Sequence, residues 1–154
     1  MQIRNWNLDK DYDTLVKWWN DWKFGVVPKE CLPPDGIIVE SEGNPICAGG
    51  LYIGIGTQFA FMEWIVTDKN ADKRQIHKAL KLCIDNLVEL AKSKGMKLIY
   101  TATKERELHK RYTKYHDFVL AETNVHTFLR DLDGKYSKDL LWISDDEQND
   151  NRNK

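Results

Sequence analysis

The sequence predicts a mixed α/β (α+β) fold: a mostly antiparallel sheet flanked by helices, in the order β-α-β-β-β-α-β-α-β-β. Three observations predict it. An apolar stripe at helical spacing runs through Ile76, Ala79, Leu80, Cys83, Ile84, Leu87, Val88, Leu90 and Ala91. Three β-rich segments, 36–40, 45–56 and 59–67, precede that helix and are separated by turn residues. A further β-rich segment, 97–103, follows it, and strand–helix–strand order calls for a parallel crossover.

The elements follow in order. Residues 2–7 alternate around Ile3 and Trp6 as a short first strand. Leu15, Trp18, Trp19 and Trp22 then fall at i, i+3, i+4 and i+7, one face of a helix whose start is crowded by Asp9, Asp11 and Asp13, where the helix dipole favours negative charge. Two of these three tryptophans are expected in the core; Trp18 and Trp19 are adjacent and cannot point the same way, so one is expected nearer the surface. Pro28, Pro33 and Pro34 break any further regular helix, so 24–35 is a loop or contains only a short helical turn. Glu42-Gly43-Asn44 and Thr57-Gln58 divide the three meander strands. The long helix stops at Gly95 behind Lys92 and Lys94. Residues 105–115 read as another helix, and 118–122 with 125–129 as a closing pair of strands.

Composition bounds the function. The chain has 154 residues, a length that suits one domain with its own core and no need of a disulfide or metal. The folded domain is expected over 1–143, with 144–154 (SDDEQNDNRNK) a disordered polar tail that carries no large apolar residue. A net charge of −1 argues against a nucleic-acid binder working through its whole surface. The 3 cysteines form no C-x-x-C pair, and the 4 histidines share no ligand spacing with them, so no metal site is expected. The N-terminus has no apolar signal core and no run is long enough to span a bilayer, so a cytoplasmic location with no membrane partner is expected.

The near-neutral charge is an average. Lys69, Lys73, Arg74, Lys78 and Lys81 gather against the single acid Asp72 at the start of the long helix. Read from the residues alone, this is either a solvated helix end or, with the strand ending in Ile65-Val66 before it, an anion site at a helix N-terminus.

At Arg74-Gln75-Ile76-His77-Lys78-Ala79 the sequence resembles the GNAT superfamily of acyl-CoA-dependent N-acetyltransferases, over residues 1 to about 131. The family's pyrophosphate loop reads R-x-x-G-x-G/A. Arg74 and Ala79 match it, and His77 stands where its first glycine is expected, putting a side chain where backbone approaches phosphate. A second matching stretch is Leu108 to Phe118 (LHKRYTKYHDF), with Asp117 in place of the usual glycine. The resemblance implies direct transfer of an acetyl group from acetyl-CoA, as co-substrate, to an amine acceptor of unidentified structure. It implies that Val66 and Thr67 pair with the pantetheine, that residues Arg74, Gln75, Ile76, His77, Lys78 and Ala79 hold the diphosphate, and that Tyr112, with Tyr115 as the alternative, protonates the departing thiolate. Glu63, on the fourth strand among Phe61, Met62 and Trp64, is the candidate base, its pKa expected to rise by burial.

The alternative is a catalytically silent scaffold of the same fold, serving structure or interaction, which His77 and Asp117 favour. Short transferases of this kind resemble those of bacteriophages and their hosts. The acceptor and the oligomeric state, a homodimer included, stay open.

Overall fold

The structure, a computed structural model, describes residues 1–136. Its elements are β1 (Gln2–Asn5), α1 (Leu8–Asp21), a single 3-10 turn (Lys29–Cys31), β2 (Asp35–Ser41), β3 (Asn44–Ile53), β4 (Phe59–Thr67), α2 (Lys73–Ser93), β5 (Leu98–Tyr100) and α3 (Arg106–Tyr115). One sheet of 5 strands runs β1-β2-β3-β4-β5. The first four strands pair antiparallel and β5 joins β4 in parallel, with α2 as the crossover. Sequence neighbours thus become sheet neighbours, by short turns from β2 to β4 and through α1 and α2 at the two ends of the sheet.

Each sheet face has its own core. Under α2, the helix stripe Ala79, Cys83, Ile84, Leu87 and Ala91 packs on Val39, Cys47, Leu51, Ala60 and Met62. Cys83 is fully buried as a small hydrophobe. On the other face, Leu15, Trp18 and Trp19 of α1 pack with Trp6, Ile38, Ala48 and Val66. Alternation along the strands separates the two sets, since successive side chains leave opposite faces.

The tryptophans correct one expectation. Both Trp18 (2% exposed) and Trp19 (1%) are buried, and Trp22 (38%) is the one at the surface. Adjacent helical residues do diverge, but the chain after α1 returns over the helix with Val27 and Leu32, so the side away from the sheet is covered as well. The Tyr12 hydroxyl donates to the Val27 carbonyl (2.9 Å) and fixes that return.

The closing pair of strands expected at 118–122 and 125–129 is a second difference. The described residues after α3, up to 136, form no ladder, and Val119, Leu120, Val125, Phe128 and Leu129 are exposed. Alternating apolar residues become a strand only where a ladder forms and a core takes one face; here the segment does not join the free edge of β5, and beyond Phe118 these apolar side chains stay off the core. The domain boundary at 143 and the tail at 144–154 lie outside the described residues. Among the described residues no helix is long and apolar enough to cross a membrane.

Candidate active site

The site begins where the sheet comes apart. β4 and β5 pair over only three positions, Phe59–Leu98, Ala60–Ile99 and Phe61–Tyr100. Beyond Phe61 the two strands separate, and the rest of β4 keeps only β3 as its partner. There β4 also bulges: Glu63 faces Gly50 and Val66 faces Ala48, so Trp64 and Ile65 together oppose Gly49. Trp64 takes φ 62°, a left-handed conformation that costs a bulky residue roughly 1–3 kcal/mol. A chain of hydrogen bonds ties it down. Its indole donates to the Tyr52 hydroxyl (2.8 Å), which donates to the Cys31 carbonyl (2.5 Å). Gly49 makes the room, because a Cβ there would stand 2.8 Å from Leu87 and 3.1 Å from Ile65.

Glu63 stands at this bulge, at the mouth of the gap. Burial pushes its carboxyl up to about 7, opposed only by the backbone N–H of Ala102, 3.4 Å from Oε1. Tyr112 approaches from the α2 side. It is buried, its ring lies 5.1 Å from that of Phe118, and burial pushes its phenol up to about 12 against a hydrogen bond from Thr101, with Glu63 adding a smaller upward push. The adjacent residues Thr101 and Ala102 thus bond Tyr112 and Glu63 respectively, which brings the two groups into one neighbourhood. α3 is closed by Phe118 N–H donating to the Tyr112 carbonyl (3.1 Å), with Asp117 at φ 56°. The position therefore demands the conformation glycine supplies, and Asp is among the residues that tolerate it. Tyr115 is elsewhere: it is exposed, with Lys114 over its ring (5.2 Å) and His77 beside it (6.5 Å).

The other end of the gap is the start of α2, and here the residues depart from a phosphate loop. Residues 74–79 are not a loop but the opening turns of the helix. Asp72 caps it, its Oδ1 accepting from Arg74 N–H (3.0 Å) and Gln75 N–H (3.2 Å). Ile76 N–H donates to the Asp72 carbonyl (2.9 Å). The backbone donors expected to meet an anion are thus partly taken. Ala79 is buried, Ile76 packs on the core, and the Gln75 amide reaches Ser41 (3.5 Å), so these three side chains turn inward. Arg74, His77 and Lys78, joined by Lys73, line an open depression of about 420 Å³.

His77 does not fill it. The ring is exposed and meets the Arg111 guanidinium of α3 (2.6 Å), which can only donate, so Nδ1 accepts. Of the five clustered bases, Lys81 pairs with Asp85, and Lys69 lies over Trp22 and donates to the Asp21 carbonyl. Lys73, Arg74, Lys78 and Arg111 have no carboxylate at ion-pair distance among the described residues. Val66 is buried and pairs with Ala48, while the Thr67 carbonyl accepts from the Trp22 indole (2.9 Å). Trp22 is thereby a strap on the end of β4 and stacks near Phe24.

Sequence reasoning missed the bulge and Arg111. The Gly49-Gly50 pair inside an otherwise apolar strand was a signal for the first. Arg111 carried no local signal, since only the crossing of α3 over α2 brings it to His77.

This fold is that of the GNAT acetyltransferases. An aminoglycoside acetyltransferase from an uncultured soil metagenomic sample superposes with a TM-score of 0.63 at 13% identity, covering 84% of this chain and 95% of that one. Glucosamine-6-phosphate N-acetyltransferase from Arabidopsis thaliana is similar too, with a TM-score of 0.59 at 13% identity over 84% of this chain and 98% of that one. So is the aminoglycoside N-acetyltransferase AAC(6')-Iy in complex with CoA, with a TM-score of 0.54 at 17% identity over 84% and 98%. The sequence matches no family model and no curated protein.

Proposed function

We propose that this protein is an acetyl-CoA-dependent N-acetyltransferase working by direct transfer to an amine. Glu63 is the observation that carries the reading: a carboxyl raised to about 7 by burial, at the point where β4 leaves β5. A base with that pKa can take a proton from an ammonium at neutral pH, and freeing the amine is the first requirement of attack on a thioester.

Acetyl-CoA supplies the activated acyl carbon and a thiolate leaving group. Glu63 takes the proton of the acceptor ammonium, directly or through water. The backbone N–H groups of the bulge at Trp64 and Ile65 are the candidate donors to the oxyanion as the carbonyl carbon becomes tetrahedral. The C–S bond breaks as the C–N bond is completed; Tyr112, whose phenol keeps its proton throughout the neutral range, gives that proton to the sulfur, and the second amine proton leaves nitrogen through water to restore the phenol. Val66 and Thr67, on the stretch of β4 that β5 leaves unpaired, would flank the pantetheine. Arg74, His77 and Lys78, with Lys73 and Arg111, would meet the phosphates through side chains rather than backbone. Gln75, Ile76 and Ala79 support the helix start and need not touch the cofactor.

Asp72 favours a second reading, the silent scaffold, because its carboxylate occupies two donors an anion would use. Isothermal titration with acetyl-CoA separates the two. Binding in the micromolar range, with thiol release once an amine is added, is the expected result. No heat at high micromolar cofactor would leave the scaffold reading standing.

A further inference from the structure

The uncovered part of the sheet points to the kind of amine accepted. Tyr52 of β3 pairs with Phe61 of β4, and Phe61 with Tyr100 of β5, so these three rings share one face across three strands. Phe59 and Glu63 alternate with Phe61 on β4 and lie on the same face. Glu63 pairs with Gly50, over which Trp6 packs, which makes this the face that carries α1. The return loop reaches Tyr52 through the Cys31 carbonyl, while Phe61 (42%) and Tyr100 (37%) stay exposed.

The rings are ordered. Phe59 and Phe61 meet edge to face with centroids 5.1 Å apart, and Phe61 and Tyr100 do so at 5.7 Å. On this face of β3, β4 and β5 the only charged side chain is Glu63. The Tyr52 hydroxyl is already engaged both as donor and as acceptor. Among the described residues these strands therefore offer one carboxylate and aromatic area, and Glu30, beside Cys31 at the Tyr52 edge, is already engaged by the Tyr136 hydroxyl (3.0 Å), which leaves little to satisfy additional hydroxyls or a second ammonium.

We propose that the acceptor is a monoamine carried on an aromatic or aliphatic skeleton, its nitrogen at Glu63 and its body over Phe61, Tyr100 and Tyr52. The proposal rests on the transferase reading for its chemistry, though the binding surface it names stands without it. Residues i and i+2 of a strand stand about 6.6 Å apart, which suits a ring joined to its nitrogen by a short alkyl chain. The cation of such an amine also gains from the neighbouring ring faces. A polyamine would leave its further charges unpaired here, and an aminosugar would press its hydroxyls against rings.

The test uses the full chain with phenethylamine, glucosamine and spermidine as probes. Calorimetry reads binding of each amine to the protein alone, and thiol release from acetyl-CoA reads turnover. Phenethylamine is expected to bind, and to be turned over with kcat/KM about tenfold or more above the other two. Phe61→Thr keeps a β-favouring residue at an exposed position and is expected to raise the KM for phenethylamine about 3- to 10-fold, with kcat little changed. Preferred binding or turnover of glucosamine or spermidine overturns the proposal and leaves the transferase reading intact. Absence of acetyl-CoA binding defeats that reading instead, while phenethylamine binding lost in Phe61→Thr would still support the surface. No phenethylamine binding to the wild-type protein overturns the proposal whatever acetyl-CoA does.

Discussion

The two ends of the gap beside β4 are made of opposite materials. At the bulge, Glu63 and Tyr112 are withdrawn from water and their acidities are set by burial. At the start of α2, Lys73, Arg74, His77 and Lys78 are exposed, and the nearest carboxylate, Asp72, caps the helix. Proton transfer depends on matched acidities, which burial of one or two groups provides. Holding a polyanion depends on summed charge and tolerates rearrangement of the groups that supply it. On the proposed reading, a side chain at His77 is therefore less damaging than a change at Glu63 would be.

The largest effect is expected at the buried end. Glu63→Gln should lower kcat/KM by roughly 10²- to 10³-fold near neutral pH. The wild-type profile of kcat/KM should rise with pH through a midpoint near 7, and the variant should lose that limb. A profile with no inflection between pH 6 and 8 would remove Glu63 as the base.

The same substitution should leave a mark on stability. The folded-state pKa of Glu63 is raised from 4.5 to about 7, so the folded state favours the protonated carboxyl. Its contribution is fully present below pH 4.5 and is lost as pH rises through 7. Glu63→Gln, which resembles the protonated form, should therefore stabilise the protein at pH 8 by about 1–3 kcal/mol and change little at pH 4. Denaturant midpoints at the two pH values read this directly.

Next in size is Tyr112→Phe, expected to slow kcat about 10- to 100-fold with nearly unchanged cofactor affinity in calorimetry. Tyr115→Phe should change neither, since that ring lies at the exposed end. If the two variants behaved alike, the contrast between the two ends would collapse.

The smallest effects belong to the helix start. Arg111→Ala should weaken acetyl-CoA binding about 3- to 10-fold, and more salt should narrow the difference. Asp72→Ala should cost about 1 kcal/mol of stability through loss of the cap. Because it frees the Arg74 and Gln75 N–H groups, it should also tighten acetyl-CoA binding. Weaker binding in that variant would mean the cap is needed to shape the site.

How far the sequence could be read follows the range of the interactions involved. The helical stripe from Ile76 to Ala91 and the three meander strands depend on periodicities that recur within a few residues, so they are legible in one dimension. Residues 118–129 carry a strand pattern as well, yet a strand needs an edge to pair with, and that requirement is not written in the segment. Trp18 and Trp19 show the same limit, because the loop that buries the second of them lies downstream of the helix.

The candidate site divides along the same line. Glu63 and Tyr112 were legible as types, a carboxylate among aromatics and a tyrosine before Phe118. Their nearness was not, since β4 and α3 meet only after α2 has crossed over. The sequence by itself determined the element order as far as α3, the two apolar faces and the choice of a carboxylate and a phenol. Tertiary structure alone decided where β4 and β5 separate, that Trp64 and Ile65 bulge against Gly49, and that Arg111 reaches His77. The physical reason is that acidity and accessibility belong to surroundings, and surroundings are assembled from residues distant in the chain.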